Sequence, residues 1–382
     1  MVCALLAGGG IVLLCADAGV GEATILSGIE YDEYVKYRSR YAKLDMLIDM
    51  VEENYYQDID ESDLFEGAYK GMVEGIGDPY SEYVPAQKTD EFFQQIDYQY
   101  TGIGMVFFMN TDGDPEVESV YVDSPADKAG IRGGDILISV DGVVVHDMDS
   151  NAVRDMVRGA AGTSVALKFK RGNESFSCSP VRAELAELTV SSDIDKEANI
   201  GYIAISGFGS STAEEFAKAL SDLENAGVKG LIVDLRYNGG GLVDAAVSIG
   251  DMLMNKGMVA YAEDKYGNKE QYTTEDGRTS LPYVVLVNEY TASASEILAV
   301  GIQDNNEGKI VGVTTYGKGI IQSAAGLVDG SALKLTIMEY YSPSGKKIHK
   351  VGVVPDVIVP LTAEDTEDVQ LIEAEKLLTG NN

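Results

Sequence analysis

The chain has 382 residues, 45% of them hydrophobic, and a net charge of −33 that arises from 62 acidic and 29 basic residues. A chain of this length is expected to form more than one domain, and its composition is typical of globular proteins. Because so acidic a surface repels phosphate backbones and anionic lipid headgroups, the composition argues against nucleic-acid binding, and no nucleic-acid partner is expected.

The first residues form an apolar run from Val2 to Ala16. This run has the length of the hydrophobic part of a signal peptide and is short for a membrane span, although the usual preceding basic residues are lacking. We therefore expect residues 1–20 to be the remnant of a signal peptide or membrane anchor. The protein is then expected outside the cytoplasm, either secreted or anchored to the outer face of the cytoplasmic membrane.

Two helices are predicted over residues 30–97. The first has an apolar face formed by Leu44, Leu47, Ile48 and Val51, and the second begins near Ser62, a candidate N-cap. It is expected to end before Asp78-Pro79, because proline disfavours a helix at the residue before it. This helical region is expected either to form a homodimer or to pack on the rest of the protein.

In residues 98–185 the sequence pattern changes from the period of helices to that of β-strands. Strands are predicted at 103–108, 117–122, 135–140 and 164–170, with a turn at Asp141-Gly142 and a helix at 149–158. The pattern predicts a compact β-rich domain of ordinary size.

From Asn199 onward, strands and helices alternate. Strands are predicted at 200–205, 230–235 and 283–287, each followed by a helix, and Thr212 with Glu215 is placed as a capping box for the first. This alternation is typical of an α/β domain with a largely parallel sheet.

Motifs for metals and nucleotides are incomplete. The segment 312–319 resembles a phosphate-binding loop, but Gly319 stands where that loop needs serine or threonine. Asn110, Asp112 and Asp114 resemble a calcium loop with Pro115 at its glycine position. With only two histidines, His146 and His349, a Ser-His-Asp triad is not favoured either. We expect neither a metal nor a cofactor.

Ser293 lies where the strand at 283–287 gives way to a helix. A hydroxyl at such a junction is exposed above the sheet edge, and the free N–H of Ala294 could bind an oxyanion. A second donor is expected from the glycine loop at 239–241, with Gly240 as the candidate. The local pattern alone favours a simpler function for Ser293, which is to cap the helix.

Lys318 is the candidate general base. It lies between Gly317 and Gly319, which allow close approach, and precedes apolar residues that could desolvate its amine. Gln322 would share a face with Lys318 in an extended segment and could orient it. Taken alone, the pattern favours a solvated lysine in a hairpin, which is the commoner case.

Taken together, these residues resemble the C-terminal processing peptidases, also called tail-specific proteases, over residues 40 to 360. The resemblance is carried by Asp78-Pro79-Tyr80-Ser81, by Asp234-Leu235-Arg236-Tyr237-Asn238-Gly239-Gly240, and by the serine of S-A-S-E and the lysine of G-K-G. Within residues 98–185, Gly102-Ile103-Gly104-Met105 is similar to the loop of a PDZ domain that binds a peptide carboxylate.

The resemblance implies a mixed α/β catalytic core of the Clp-protease/crotonase type (186–362), an inserted PDZ-like domain (98–185), an N-terminal helical region (30–97) and a C-terminal tail (363–382). It implies a serine endopeptidase with Ser293 as nucleophile, Lys318 as base and Gln322 as its support. Protein substrates with exposed C-terminal tails are the implied partners, bound at Gly102, Ile103, Gly104 and Met105. Arg158 is a candidate regulatory latch of the PDZ-like domain, and an ordinary surface arginine is an equal alternative.

Two alternative functions remain at this point. A non-catalytic ligand- or peptide-binding protein on the same core would be marked by loss of Ser293, Lys318 or Gln322, all of which are present. A PDZ scaffold would not need the glycine loop of the second domain.

Overall fold

The computed structural model describes the backbone of residues 2–7, 10–15, 24–26, 28–362 and 364–380, and side chains within residues 32–33, 35–362 and 364–380. The chain divides into two compact units, Met1–Pro79 and Tyr80–Asn382.

In the part of the first unit that the structure describes, there are three short antiparallel strands and two helices. These elements are β1 (Val2–Ala7), β2 (Gly10–Cys15), β3 (Thr24–Leu26), α1 (Gly28–Asn54) and α2 (Glu61–Glu74). Both predicted helices are confirmed. The prediction that Ser62 caps α2 was wrong. Asp60 is the N-cap, and its side chain accepts a hydrogen bond from the Ser62 N–H at 2.9 Å. The helix ends at Glu74, with Gly75 as its C-cap, before Asp78-Pro79.

The leader predicted over residues 1–20 is described only where β1 and β2 run; residues 1, 8–9 and 16–20 lie outside the described residues. Among the helices of the described chain, none combines the length and the apolar character needed to span a bilayer.

The second unit begins with a β-rich part. It contains β4 (Glu82–Val84), α3 (Thr89–Ile96), β5 (Gln99–Gly102), β6 (Met105–Met109), β7 (Pro115–Val120), α4 (Pro125–Lys128), β8 (Ile136–Val140), β9 (Val143–Val144), α5 (Ser150–Val157), β10 (Leu167–Arg171), β11 (Glu174–Cys178) and β12 (Ala183–Ala186). The main sheet has the order β11-β10-β8-β7-β6, with β9 beside β8. Strands β5 and β12 pair separately and connect this part to the rest of the unit.

The remainder of the unit is the expected α/β core. Its elements are β13 (Val190–Asp195), β14 (Ile200–Ile205), α6 (Thr212–Ala226), β15 (Gly230–Asp234), α7 (Val243–Leu253), β16 (Gly257–Asp264), β17 (Lys269–Thr274), β18 (Tyr283–Val287), α8 (Ala294–Asp304), β19 (Lys309–Gly312), β20 (Ile320–Gly326), β21 (Ala332–Tyr341), β22 (Val357–Ile358) and α9 (Val369–Thr379).

Two sheets organise this core. In the first, of order β13-β14-β15-β18-β19-β22, every pairing except β13–β14 is parallel. The second, β17-β16-β21-β20, is antiparallel, and β4 joins it by pairing with β21.

Both faces of the first sheet are covered, which explains why every residue of β15 and β18 is buried. Successive side chains alternate between the faces. Leu231 and Val233 pack in the cluster that includes residues of α6, α7 and α8, whereas Ile232 and Val284 pack in the cluster of α9.

Two local predictions differ from the structure. Thr212 does not form the expected capping box, because its Oγ1 accepts a hydrogen bond from Gly209 and Glu215 accepts two from the backbone of β13 and the residue before it. The C-terminal tail predicted at 363–382 contains α9, which packs against the sheet through residues such as Ala374.

The burial of α9 predicts that Ala374→Asp will lower the free energy of unfolding by about 3 kcal/mol or more, because it places an unpaired charge in an apolar contact. Ala374 is fully buried, whereas Lys376 on the same helix is exposed. Denaturant unfolding should show the loss, while Lys376→Gln should change the free energy by less than about 0.5 kcal/mol. Equal effects of the two substitutions would contradict the packing of α9.

Candidate active site

Ser293 lies between strand β18 and helix α8, at the carboxyl edge of the parallel sheet. Crevices at this edge are where α/β proteins place their ligands. Its backbone has φ 60° and ψ −119°, a conformation that costs free energy for any residue other than glycine. The buried Tyr340 hydroxyl donates a hydrogen bond to the Ser293 carbonyl at 3.0 Å. The strained turn is thus held from a neighbouring strand.

The glycine loop after β15 lies directly against Ser293. A Cβ atom added to Gly240 would be 2.7 Å from Ser293 Cβ and 3.0 Å from the Ala294 nitrogen, so only glycine fits. The buried Asn238 joins the two loops, since its backbone carbonyl accepts hydrogen bonds from Ala292 N–H and from Ser295 Oγ. Asn238 was not singled out by the sequence, although it belongs to the D-L-R-Y-N-G-G motif.

The two predicted oxyanion donors have different surroundings. Ala294 is the first residue of α8, so its N–H has no acceptor within the helix. The Gly240 N–H was predicted to bind the oxyanion, but it already donates a hydrogen bond to Asn238 Oδ1 at 2.9 Å. The Gly240 carbonyl accepts from Phe208 N–H at 3.0 Å. In a trans peptide the following N–H points the opposite way, so the N–H of the exposed Gly241 points away from Phe208 and becomes the candidate donor of this loop.

A buried carboxylate, Glu296, joins the Ser293 loop to the Lys318 loop. Its Oε2 accepts hydrogen bonds from the backbone N–H of Ser293 at 2.9 Å and of Lys318 at 2.8 Å. Its Oε1 accepts from the Gly317 N–H at 2.7 Å and from the Thr315 hydroxyl. One side chain therefore holds both predicted catalytic residues adjacent to each other.

Burial and hydrogen bonding act on Glu296 in opposite directions. Burial raises the pKa of its carboxyl, while the hydrogen bonds from Thr315 and from the amides of Ser293, Gly317 and Lys318 lower it; the net shift is upward. Four donors facing two oxygens match the acceptor capacity of an ionised carboxylate. The sequence contained Glu296 within S-A-S-E, but nothing in the pattern revealed that its partners are backbone amides.

The Lys318 amine is half-buried and lies over an aromatic ring. Its Nζ is 4.7 Å from the centroid of the Tyr80 ring, a cation–π distance. Tyr80 belongs to the segment Asp78-Pro79-Tyr80-Ser81, and the Ser81 hydroxyl accepts a hydrogen bond from Thr336 N–H on β21 at 3.0 Å. Tyr80 therefore supplies part of the surroundings of the amine.

Gln322 lies on β20, close in sequence to Lys318. Its amide nitrogen donates to Thr336 Oγ1 at 3.2 Å and to the Ile320 carbonyl at 3.4 Å. The register with β21 shifts between Ile321 and Gln322. Because such a bulge interrupts the alternation of side chains, a shared face with Lys318 does not follow from the spacing alone.

A concave region lies in the β-rich part. A groove of ≈ 210 Å³ is lined by residues that include Gly102, Ile103, Gly104, Met105 and Arg158. The predicted loop and the predicted latch therefore share one groove. The exposed guanidinium carbon of Arg158 lies 5.5 Å from the centroid of the Tyr100 ring.

The backbone of this groove presents amides. The carbonyls of Ile103 and Gly104 accept hydrogen bonds from Ala126 N–H and Tyr121 N–H. The amides of Gly104 and Met105, on the other side of the same trans peptides, point away from these donors. Strand β6 is last in its sheet order, which leaves one edge for an added strand.

Metal-ligand clusters are not found among the described residues. His146 lies exposed, with its Nδ1 2.8 Å from Asp114 Oδ1, far in sequence from both loops of the Ser293 site.

The contacts of Glu296 predict that Glu296→Gln will lower the free energy of unfolding by about 2–4 kcal/mol, because an NH₂ group would face N–H or O–H donors. Glu289→Gln, on the exposed loop before Ser293, is the matched control and should change it by less than about 0.5 kcal/mol. Denaturant unfolding measures both. Equal stability of wild type and Glu296→Gln would show that the bridge is not needed to hold the loops.

Family models match three parts of the chain. Residues 21–89 match the model described as the activating protease CtpB N-terminal domain, residues 116–171 match a PDZ domain, and residues 199–359 match peptidase family S41. The matches follow the order of the regions predicted from the sequence.

Similar proteins agree with these matches. Carboxy-terminal processing protease CtpA of Bacillus subtilis is 37% identical over 90% of this chain and 74% of its own length, and CtpB of the same organism is 34% identical over 83% and 67%. The solved photosystem II D1 C-terminal processing protease is 28% identical, with a TM-score of 0.52 over 91% of each chain. The chain therefore belongs to peptidase family S41, as one of its carboxy-terminal processing serine endopeptidases.

Proposed function

We propose that Ser293 is the nucleophile and Lys318 the general base of this endopeptidase, and that it recognises protein substrates by their C-terminal tails. The observation that carries the assignment is the Glu296 carboxylate, whose Oε2 binds the amides of both residues. No other pair of candidate nucleophile and base was predicted from the sequence, and the family of the chain is that of serine peptidases.

The proposed reaction begins when the uncharged Lys318 amine accepts the proton of the Ser293 hydroxyl. The Ser293 oxygen attacks the peptide carbonyl, and the amides of Ala294 and Gly241 stabilise the oxyanion that forms. The Lys318 ammonium then donates its proton to the departing amine, and the peptide bond breaks. Water, deprotonated by Lys318, hydrolyses the ester and restores Ser293.

The surroundings of Lys318 support a change in its protonation. The face of the Tyr80 ring favours the ammonium form while the site is open to water. A substrate that covers the half-buried amine would remove water and favour the neutral form. Gln322, on the adjoining strand, is proposed to support the lysine.

The groove beside β6 is proposed to bind the substrate tail as an added strand. The amides of Gly104 and Met105 would hold the terminal carboxylate, with Arg158 providing a positive charge at the same groove. The apolar side chains of Ile103 and Val157 line the groove, so the last residue of the tail is expected to be apolar. In this arrangement Arg158 would act as the latch that senses an occupied groove.

Two further proposals come from the first unit of the chain. We propose an extracytoplasmic protein, on the basis of the apolar run at 2–16, and a homodimer formed through the N-terminal helical region. Support for the second is the match of residues 21–89 to a separate N-terminal domain.

The dyad predicts that Ser293→Ala and Lys318→Ala will each lower kcat for an unfolded-tail substrate by about 10³-fold or more, with the fold intact. Ser323→Ala and Lys309→Ala, which change exposed residues near by in the chain, are the matched controls. Turnover is measured by mass spectrometry of the products. Retained cleavage in either dyad variant would refute the assignment.

The groove predicts that a substrate peptide with an amidated C-terminus will have a KM raised about tenfold or more, because a charge-assisted interaction with the amides is lost. Acetylation of the N-terminus of the same peptide is the control and should leave KM unchanged. Initial rates over a range of peptide concentrations separate KM from kcat. An amidated peptide with the KM of the free acid would contradict recognition of the tail.

A further inference from the structure

Tyr98 stands where the β-rich part joins the catalytic core, one residue before strand β5. Its ring occupies a slot formed by two glycines of the core. A Cβ atom added to Gly207 would lie 2.1 Å from the Tyr98 hydroxyl oxygen, and one added to Gly209 would lie 2.8 Å from Tyr98 Cβ. The slot exists only because side chains are absent there.

The hydroxyl of Tyr98 reaches the glycine loop of the active site. It donates a hydrogen bond to the Gly240 carbonyl at 3.3 Å, beside the bond from Phe208 N–H to the same oxygen. That carbonyl belongs to the peptide whose N–H is supplied by Gly241. Two donors on the carbonyl fix the plane of this peptide and polarise its N–H as a donor.

Tyr98 is itself firmly held. Its φ is 52°, and its carbonyl accepts a hydrogen bond from Glu187 N–H at 2.7 Å, next to the pairing of β5 with β12. Burial, followed by the charge of Glu187, raises the pKa of its hydroxyl. The hydroxyl therefore keeps its proton and remains a donor.

From these contacts we propose that Tyr98 is a positioning residue for the oxyanion-binding peptide Gly240–Gly241. It acts through the Gly240 carbonyl and does not touch the substrate. This inference rests on the proposed function, in which the Gly241 amide binds the oxyanion. In this proposal a residue at the junction of the β-rich part and the core contributes to stabilising the transition state through the Gly240 carbonyl.

The test is Tyr98→Phe in the full-length protein, which keeps the ring in its slot and removes only the hydroxyl. We expect kcat to fall about three- to tenfold, the range that corresponds to loss of one hydrogen bond, with KM and the unfolding temperature unchanged. Binding of a peptide aldehyde, which forms a tetrahedral adduct with Ser293, should weaken by the same factor, because the adduct carries the oxyanion.

The matched control is Tyr202→Phe. Tyr202 is also half-buried, and its hydroxyl donates to Asp234 Oδ2 at 2.6 Å, away from the Gly240 carbonyl. It should leave kcat and aldehyde binding unchanged. A purely structural function of Tyr98 would lower the unfolding temperature without weakening aldehyde binding.

The outcomes separate this inference from the proposed function. If wild type cleaves, Ser293→Ala does not, and Tyr98→Phe has the kcat and aldehyde affinity of wild type, then the positioning of Gly240–Gly241 by Tyr98 is wrong and the dyad stands. If Ser293→Ala still cleaves, the proposed function fails first. The inference is supported if kcat and aldehyde affinity fall together in Tyr98→Phe and stay unchanged in Tyr202→Phe.

Discussion

The buried carboxylate of Glu296 is the contact on which the catalytic arrangement depends. Ser293 and Lys318 belong to separate loops, and the amides of both bind Oε2 of this side chain. Burying an ionised carboxylate is unfavourable unless donors replace the water that it loses. Here three backbone amides and the Thr315 hydroxyl do so. The charge that opposes folding thus sets the relative position of the two loops.

The parallel sheet determines where this contact forms. Strands β15 and β18 are neighbours, so the loops that follow them meet at one edge. Asn238 and Gly240 close the contact from the β15 side, and Ser293 completes it from the β18 side with a strained backbone. Such strain persists only where surrounding contacts over-determine the conformation, as Tyr340 and Glu296 do here.

Prediction from the sequence succeeded where periodic patterns decide the structure. The alternation of apolar strands with helices was sufficient to predict the α/β core, because strands covered on both faces are apolar throughout. Prediction failed where a single polar contact determines the local structure. Asp60 rather than Ser62 caps α2, and Thr212 binds a loop instead of its own helix. The segment predicted as a C-terminal tail contains α9, whose Ala374 packs against the sheet.

The candidate site shows the same division. Ser293 and Lys318 were identified only through the combination of motifs, because each pattern alone favours a cap and a solvated lysine. The functions proposed for Glu296 and Gly241 depend on the direction of backbone amides, which the sequence does not encode locally. The β-bulge before Gln322 likewise could not be read from spacing.

We propose that Lys318, whose loop is held beside that of Ser293 by Glu296, makes the Ser293 hydroxyl nucleophilic. The most direct measurement is the rate of labelling by a fluorophosphonate, with the modified residue located by peptide mapping. We expect an adduct on Ser293 in the wild type and labelling slowed by orders of magnitude in Lys318→Ala. An adduct on a different serine, or an unchanged rate in Lys318→Ala, would contradict it.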